Sequence, residues 1–512
     1  MTARGQSEDA SPATPAPGSD GLSTDHLQAD LKGRTIRGGA VTVFAQGAQF
    51  TLQMLCTVVL ARLLTPADFG LIAMVNVLTV FAHMFSEGGL AIATIQRKEI
   101  NQQQVTALFW VNVVIGVVIM LAVAATAPVL TWFYREPRLV GITYLAATAF
   151  FFIGLGVQHD ALLRRQMRFV AMATRNVAAA AVAVGVGIAM GWLGAGYWAL
   201  VTYPVVGSVT RTVLSWLMVD WRPGRPRRAR DVRSMLMLGG NQTAANCVIH
   251  VSTSLDSLLI GRFWGAGPLG LYAKAQALLL LPFRQLDGPL TAVALPALSR
   301  IQDDPERLAH YYLRLTNLLM WATTPLVGLL FVAAQPVIVL VLGDQWRESA
   351  AVFRIFAALA PAFPLLQVNV LLFQCRGQTD RLLKLTLLRA PVLMGSVAAG
   401  LPFGIRGVAL AYTIANLATL PWVFAFTFSG THLTLGRLGR ALLYPIAVCL
   451  AAVVSGLAVL ETLAPDGDLL PLLVTVATFA LVYGLGVLVP AVRRELVTLR
   501  DLLRELRPPR SR

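Results

Sequence analysis

Charged side chains occur inside several long apolar runs of this chain, where charged residue types are rarely tolerated. Arg284 and Asp287 lie near the centre of one run, and their spacing of three residues lets them pair on a helix. An isolated charge in such a low-dielectric environment is costly, so it is paired or functional. Two interpretations follow: Arg284 binds an anionic group while Asp287 orients it or exchanges a proton, or the two side chains only neutralise each other.

Amide side chains recur at helical spacing in two other runs. Gln46, Gln49 and Gln53 are separated by three and four residues, which places them on one helical face. Asn246 and His250 are separated by four residues in a second run. Such faces either line a polar cavity or join neighbouring helices through hydrogen bonds. His250 is a candidate for titration near neutral pH or for a packing role.

Further ionisable residues lie nearer the ends of their runs. Arg211 is our second candidate for binding an anion, and Asp256 joins Asp287 as a candidate for ion coupling or ion pairing. Lys274 lies about one turn into its run, so its ammonium group can extend to the membrane surface. The same extended placement is predicted for three arginines: Arg175, Arg354 and Arg389.

The apolar runs themselves predict an all-α polytopic membrane protein. Apolar residues make up 56% of the 512 residues and charged residues 13%, whereas soluble domains carry about 25% charged residues. Runs of about 20 apolar residues are typical of transmembrane helices. We predict about fourteen spans, with the approximate limits 38–61, 69–88, 106–131, 138–158, 172–193, 195–218, 235–258, 269–297, 315–341, 350–374, 383–401, 405–428, 441–460 and 469–489.

Two of these spans are predicted to be broken by proline residues. The span 269–297 is predicted to be broken by Pro282 and Pro289. The span 315–341 is predicted to be broken by two others: Pro325 and Pro336. Proline is tolerated in transmembrane helices where neighbouring groups satisfy the freed carbonyl groups.

The spans group into two six-helix lobes followed by two extra helices. The predicted organisation is a disordered cytoplasmic tail (1–33), an N-lobe with spans 1–6 (34–219), a basic cytoplasmic linker (220–234), a C-lobe with spans 7–12 (235–430), spans 13 and 14 (431–490) and a basic cytoplasmic tail (491–512).

The distribution of Lys and Arg predicts the orientation in the membrane. An even number of spans places both termini on one side, and most of the 42 Lys and Arg residues fall on that side. Six lie within spans, and six lie at the opposite side: Arg62, Arg135, Arg138, Arg262, Arg347 and Arg406. By the positive-inside rule the termini are cytoplasmic. The net charge of +16 therefore has a topological origin, and the basic loop 220–234 does not indicate nucleic acid.

Two pairs of segments indicate an internal repeat. ARLLTPADFGLIA (61–73) aligns with GRFWGAGPLGLYA (261–273) at an offset of 200 residues, which pairs Gly70 with Gly270. GAGYWAL (194–200) aligns with GIRGVAL (404–410) at an offset of 210 residues. Each pair occupies the same position within its half. This pattern predicts two lobes related by an axis along the membrane normal, with a site between them near the midplane.

No motif for a catalytic or metal site stands out. The chain has no GxxxxGK[ST] or HExxH sequence, and a DxD at Asp466 and Asp468 lies in a short extracytoplasmic turn, away from sugar nucleotides. The cysteines are interpreted as small apolar side chains: Cys56, Cys247, Cys375 and Cys449. We therefore expect neither an enzyme nor a cofactor.

The same segments resemble a known family. ARLLTPADFGLIAM, the GRFWGAGPLGLYAKAQALLLLPFRQL stretch and ALPALSRIQDDPERL (294–308) are similar to polysaccharide flippases of the multidrug/oligosaccharidyl-lipid/polysaccharide exporter superfamily, closest to the colanic-acid-exporter type. The resemblance covers about residues 34–430. It implies alternating access in a bacterial inner membrane and a polyprenyl-diphosphate-linked oligosaccharide, the repeat unit of a lipopolysaccharide or exopolysaccharide, as cargo. It also implies a polysaccharide polymerase and a chain-length regulator as partners.

Three alternatives remain open at this point. A cation-coupled drug antiporter of the same superfamily is expected to carry a carboxylate in its first span, which this chain lacks. A lipid II flippase fits the motifs less well. A membrane-embedded polymerase or ligase is disfavoured because no predicted outward loop exceeds about a dozen residues, too short for an external catalytic domain.

Overall fold

The computed structural model describes residues 31–86, 94, 100–225, 254–463, 469–489 and 492. Within these ranges the secondary structure is helical and contains no β-strand. The predicted all-α class is confirmed. The predicted disordered tail (1–33) and basic tail (491–512) lie almost wholly outside the described residues, and helix α1 already begins at Leu31.

Seventeen α-helices can be traced in the described part of the chain. They are α1 (Leu31–Leu63), α2 (Pro66–Ser86), α3 (Gln102–Ala125), α4 (Ala127–Tyr134), α5 (Leu139–Arg165), α6 (Phe169–Trp192), α7 (Tyr197–Met218), α8 (254–264), α9 (Ala266–Ser299), α10 (Pro305–Val332), α11 (Ala334–Leu342), α12 (Arg347–Ala357), α13 (Ala362–Cys375), α14 (Thr379–Gly400), α15 (Gly404–Phe428), α16 (Leu435–Leu463) and α17 (Leu469–Leu488).

Local sequence signals account for several helix ends. Asn101 caps α3, accepting a hydrogen bond from the backbone of Gln104, whose side chain accepts one from the Asn101 backbone in return. Asp304 caps α10, and Pro305 follows at the first helical position, where its missing N–H is not needed. These polar caps mark where two of the longest apolar helices begin.

Many of these helices have the length and composition of membrane spans. Eight stretches of the described residues are long and apolar enough to cross a bilayer, or nine if α12 and α13, which bend by 53°, form one broken span. That count treats 380–428, which contains α14 and α15, as a single stretch. The chain is thus a polytopic membrane protein, while the number fourteen stays a prediction.

The predicted proline breaks are wrong in position. Helix α9 runs without interruption through Pro282 and Pro289, and α10 runs through Pro325. The interruption in that second span falls at Ala333, before α11 begins. Proline removes one backbone donor but leaves the rest of the hydrogen-bond ladder intact, so a long apolar helix can continue through it.

The order of helices repeats between the two halves of the chain. A long helix with a short continuation occurs as α3 with α4 and again as α10 with α11. The hairpin of α6 and α7 corresponds to that of α14 and α15. At the aligned turn positions Gly194 has φ of 74° and Gly404 has φ of 72°. Both turns use a backbone conformation that favours glycine, which gives the weak sequence repeat a physical basis.

Contacts divide the chain into two compact units. The first comprises Met1–Thr57, Leu78–Thr131 and Pro137–Cys247. The second comprises Val58–Val77, Trp132–Glu136 and Val248–Arg512. Two short segments from the first half of the sequence therefore group with the second unit. The predicted lobe boundaries remain a prediction.

Candidate functional site

The predicted amide face of the first span lies on helix α1, within the first unit. The side chains of Gln46 and Gln53 are exposed, while Gln49 is half-buried and donates a hydrogen bond of 3.2 Å to the carbonyl oxygen of Ala45. Exposed amides on an apolar helix keep their hydrogen-bonding groups available. This face can therefore accept or donate bonds to a polar ligand.

Arg211 lies on α7 in the same unit and is exposed. Tyr203, two turns earlier on α7, is within electrostatic range of both Arg211 and Cys56 of α1. Cys56 follows Gln53 by three residues, so it lies on nearly the same face of α1. Tyr203 therefore lies near both Arg211 and helix α1, which the sequence alone did not predict.

The other predicted binding residues are only partly described. Arg284 and Asp287 both fall within the continuous helix α9, so their i,i+3 spacing holds on one helix. Their side chains lie outside the described part of the structure, as do Asn246 and His250 entirely. Their predicted roles stay predictions.

Asp256 is a buried acidic group in the second unit. Its carboxylate accepts hydrogen bonds from the Tyr272 hydroxyl (2.8 Å), from the Gln276 amide (3.3 Å) and from the backbone N–H of Ser257 (2.6 Å). Tyr272 and Gln276 are one turn apart on α9. The sequence predicted a role for Asp256 but not its two partners on α9. The i,i+4 spacing of Tyr272 and Gln276 places them on one helical face and could have indicated that they act together.

The predicted membrane-surface placement of Arg175 and Arg389 is wrong. Arg175 is 3% exposed and forms an ion pair of 2.6 Å with Asp160. Arg389 is half-buried on α14 and donates hydrogen bonds to Asn416 and Thr419 of α15. In both cases the side chain is held by an acceptor on a neighbouring helix.

Two helix ends in the second unit cap each other. The Arg62 guanidinium donates hydrogen bonds to the carbonyl oxygens of Leu340 and Val341, in the last turn of α11. The side chains of Gln345 and Trp346 donate to carbonyl oxygens in the last turn of α1. Each helix would otherwise leave its last carbonyl groups without partners. These reciprocal bonds satisfy them and join α1 to the segment after α11.

Lys274 packs beside these caps, and its predicted extension to the surface is wrong. It is 9% exposed, and its ammonium nitrogen lies 3.9 Å from the ring centroid of Phe69 and 5.4 Å from that of Trp346. The two rings meet edge to face with centroids 5.1 Å apart. An ammonium group over aromatic faces is attracted by their electron density, and the attraction strengthens when water is excluded.

Helices α2 and α9 cross at the repeat-related glycines. A Cβ atom added to Gly70 would lie 1.7 Å from the carbonyl oxygen of Ala266, and one added to Gly270 would lie 1.8 Å from that of Pro66. Only glycine allows this backbone contact. Reciprocal caps, the Lys274 contacts and this crossing together form what we call the outer closure: residues 61–70, 266–274 and 340–346.

The described residues contain no group of three or more His, Cys, Asp or Glu side chains that could hold a metal ion. Among the described residues Cys56, Cys375 and Cys449 form no disulfide, and Cys247 lies outside them. The described helices carry exposed amides, an exposed arginine and buried charged groups that are bonded to neutral partners. Such an arrangement is typical of a protein that handles a polar solute within the membrane.

Solved structures with the same fold define the class of protein. The lipid II flippase MurJ, in an inward closed conformation, aligns with a TM-score of 0.70 at 13% identity, covering 91% of this chain and 100% of that chain. A multidrug resistance transporter of the MATE family, in an inward-facing conformation, aligns with a TM-score of 0.57 at 13% identity, covering 77% and 95%. The fold is that of this group of membrane transporters.

The sequence narrows the assignment further. Residues 59–351, more than half of the chain, match the family described as Polysaccharide biosynthesis protein, and the chain belongs to that family. The predicted resemblance to polysaccharide flippases is thereby confirmed at the level of the family.

Curated relatives carry names from several polysaccharide systems. The lipopolysaccharide biosynthesis protein WzxC of Escherichia coli is 27% identical, covering 64% of this chain and 67% of the relative. The teichuronic acid biosynthesis protein TuaB of Bacillus subtilis is 24% identical, covering 68% and 73%. The succinoglycan biosynthesis transport protein ExoT of Rhizobium meliloti is 22% identical, covering 74% and 77%.

Proposed function

We propose that the protein is a flippase for a polyprenyl-diphosphate-linked oligosaccharide, the repeat unit of a surface polysaccharide. It moves this cargo by alternating access from the cytoplasmic to the outer leaflet of the bacterial inner membrane. The observation that carries the proposal is membership of a polysaccharide biosynthesis family in a chain with the fold of a lipid II flippase. Both features suit a lipid carrier with a polar headgroup.

The residues of the first unit suit a sugar-bearing headgroup. Gln46 and Gln53 offer exposed amides, which donate to and accept from sugar hydroxyl groups. Arg211 supplies an exposed positive charge in the same unit. Arg284 is proposed as a second phosphate-binding cation and Gln49, Asn246 and His250 as further polar contacts.

Asp256 is proposed to couple transport to a cation gradient. It lies on α8, where its carboxylate is held by three neutral donors. No Lys or Arg of the described residues forms an ion pair with it, so its negative charge is left for a proton or a metal cation. Replacing it with Asn should slow export and remove its dependence on that gradient, as measured in spheroplasts with and without an ionophore.

The outer closure supports alternating access. Its caps and its glycine crossing hold the ends of α1 and α11 together at the end of the helices that the charge pattern places outside. A carrier that accepts cargo from the cytoplasm needs such a closed outer end before loading. The proposal also places both termini in the cytoplasm, and the polymerase and chain-length regulator beside the exit site. The protein itself catalyses no covalent step.

Deletion of the gene tests this function. The expected result is loss of surface polysaccharide and accumulation of the lipid-linked repeat unit on the cytoplasmic leaflet, restored by a plasmid copy. The repeat unit is followed by lipid extraction and mass spectrometry, with its leaflet determined by accessibility to an added lectin or glycosidase in spheroplasts.

Two outcomes would contradict the proposal. Normal polysaccharide with increased drug sensitivity would favour an antiporter, and a block in cell-wall precursor export would favour lipid II as cargo. A lipid-linked repeat unit accumulating on the outer leaflet would indicate that transport is intact and that the later polymerisation or ligation step is lost.

A further inference from the structure

Arg389 is an arginine in the middle of a transmembrane helix, and its hydrogen-bond partners among the described residues are neutral. It lies ten residues after Thr379 and eleven before Gly400 in α14. At 1.5 Å per residue this is about 15 Å from either helix end. The hydrocarbon core of a bilayer is about 30 Å thick. The backbone of Arg389 therefore lies near the membrane midplane.

The contacts of Arg389 orient it without neutralising it. Its Nε atom donates to the Thr419 hydroxyl at 3.2 Å, and one terminal nitrogen donates to the Asn416 amide oxygen at 2.6 Å. Asn416 is fixed in turn, because its own amide nitrogen donates to the carbonyl oxygen of Tyr412 at 2.8 Å. Both acceptors are buried on α15. An amide and a hydroxyl carry no net charge, so the full positive charge of Arg389 remains.

Part of the hydrogen-bonding capacity of Arg389 is unused. A guanidinium group has five N–H donors in a planar fork, and two of them meet acceptors among the described residues. The residue as a whole is only half-buried. The nearby acidic group, Asp256, is bonded to Tyr272, Gln276 and Ser257 instead, with Tyr412 in electrostatic range of both charges.

We propose that Arg389 binds a phosphate-bearing lipid headgroup at the level of the membrane midplane. A guanidinium fork matches two phosphate oxygens, and Asn416 and Thr419 hold that fork in a fixed direction. Resting on the function proposed above, this headgroup is the diphosphate of the cargo. Arg389 is then a phosphate contact of the second unit.

A purely structural role for Arg389 makes a different prediction. If it only joins α14 to α15, its replacement should reduce stability and leave headgroup binding unchanged in the protein that remains folded. Arg381 provides the matched control, since it lies on the same helix and donates to the backbone carbonyl of Phe426 at 3.0 Å, with its guanidinium 5.1 Å from that ring. It lies two residues after Thr379, at the start of α14, so its charge is close to the helix end and not at the level of the midplane.

The test is lipid binding to the full-length purified protein, measured by native mass spectrometry. The probes are undecaprenyl diphosphate, undecaprenol as the uncharged control, and phosphatidylglycerol as an ordinary anionic lipid. We expect Arg389→Gln to weaken undecaprenyl diphosphate binding by about tenfold to a hundredfold, the usual effect of losing a charge-assisted contact. Arg389→Lys should recover part of it, and Arg381→Gln should leave the affinity unchanged.

Each other outcome has a defined meaning. Wild-type affinity in Arg389→Gln, with tight binding by the wild type, would overturn the role of Arg389 while leaving the proposed function standing. An equal loss for phosphatidylglycerol would assign the site to membrane lipid headgroups and overturn the assignment to cargo. Failure of the wild type to prefer undecaprenyl diphosphate over undecaprenol would contradict the diphosphate cargo itself. If Arg389→Gln does not fold, Asn416→Leu, which removes only the positioning group, should show a smaller loss of affinity.

Discussion

At the scale of single residues, the charges inside the membrane differ in what neutralises them. Among the described residues, Arg175 has a carboxylate partner, Lys274 contacts aromatic faces, and Arg389 is bonded to an amide and a hydroxyl group. A charge with a carboxylate partner is already satisfied, whereas one with neutral partners still attracts an anion. The partner, and not the residue type, separates structural cations from candidate binding cations.

Arg284 and Asp287, three residues apart on α9, allow a test of this distinction. Arg284→Ala should abolish export because, in the binding interpretation, the phosphate loses its partner. If Arg284 only neutralises Asp287, the single substitution leaves an unpaired buried charge, which costs about 3–5 kcal/mol. The double substitution with Asp287→Ala then restores export at wild-type protein level. Surface polysaccharide per unit of membrane protein is the measurement, and recovery would show that the diphosphate binds elsewhere.

Lys274 should contribute to stability through its aromatic contacts. Lys274→Met keeps the apolar stem but removes the ammonium group from Phe69 and Trp346, a contact worth about 0.5–2 kcal/mol. We expect a lower thermal unfolding midpoint in detergent, with no such change for the exposed Lys384→Met on α14. The loss for Lys274→Met combined with Phe69→Leu should be smaller than the sum of the two single losses, because both substitutions remove the same contact. Additive losses in that double mutant would argue against the contact.

At the scale of elements, glycine sets how closely helices α2 and α9 approach. Gly70→Ala and Gly270→Ala each place a methyl group within 2 Å of a backbone carbonyl oxygen, which cannot rotate away. The helices must separate, at a cost of at least the 1–3 kcal/mol typical of overpacking. Gly47→Ala in α1, whose added Cβ meets nothing within 4 Å, is the control.

The opening of the outer closure can be followed with a thiol reagent that does not cross the membrane. Leu64, 4% exposed at the end of α1, is replaced by Cys in a background lacking the other cysteines. We expect faster labelling in intact cells when Gly70→Ala is added than when Gly47→Ala is added. Equal labelling and equal amounts of protein in both variants would show that the crossing does not hold the outer end closed.

At the scale of the whole molecule, the distribution of arginine predicts which end of each helix faces the cytoplasm. A single cysteine at Arg227 in the basic linker should react only after the membrane is permeabilised, whereas one at Asp466 should react in intact spheroplasts. Labelling at position 227 in intact spheroplasts would indicate the opposite topology. The outer closure would then lie on the cytoplasmic side of the membrane.

The sequence by itself determined the class of the protein, the family and most helix positions. These depend on local properties: apolar runs of bilayer length, charge on the connecting loops and glycine at turns. Gly194 and Gly404 could be aligned in sequence, and they adopt the same left-handed turn. The amide spacing on α1 also followed from helical periodicity alone.

Tertiary structure decided the partners of each polar side chain. Arg62 meets carbonyl groups nearly 280 residues away, and Arg389 meets α15 about 27 residues on. Helical periodicity gives the face a side chain lies on but not which helix lies opposite, because packing between distant segments sets that. For this reason the sequence assigned Lys274, Arg175 and Arg389 to the membrane surface, although each has a partner on a neighbouring element.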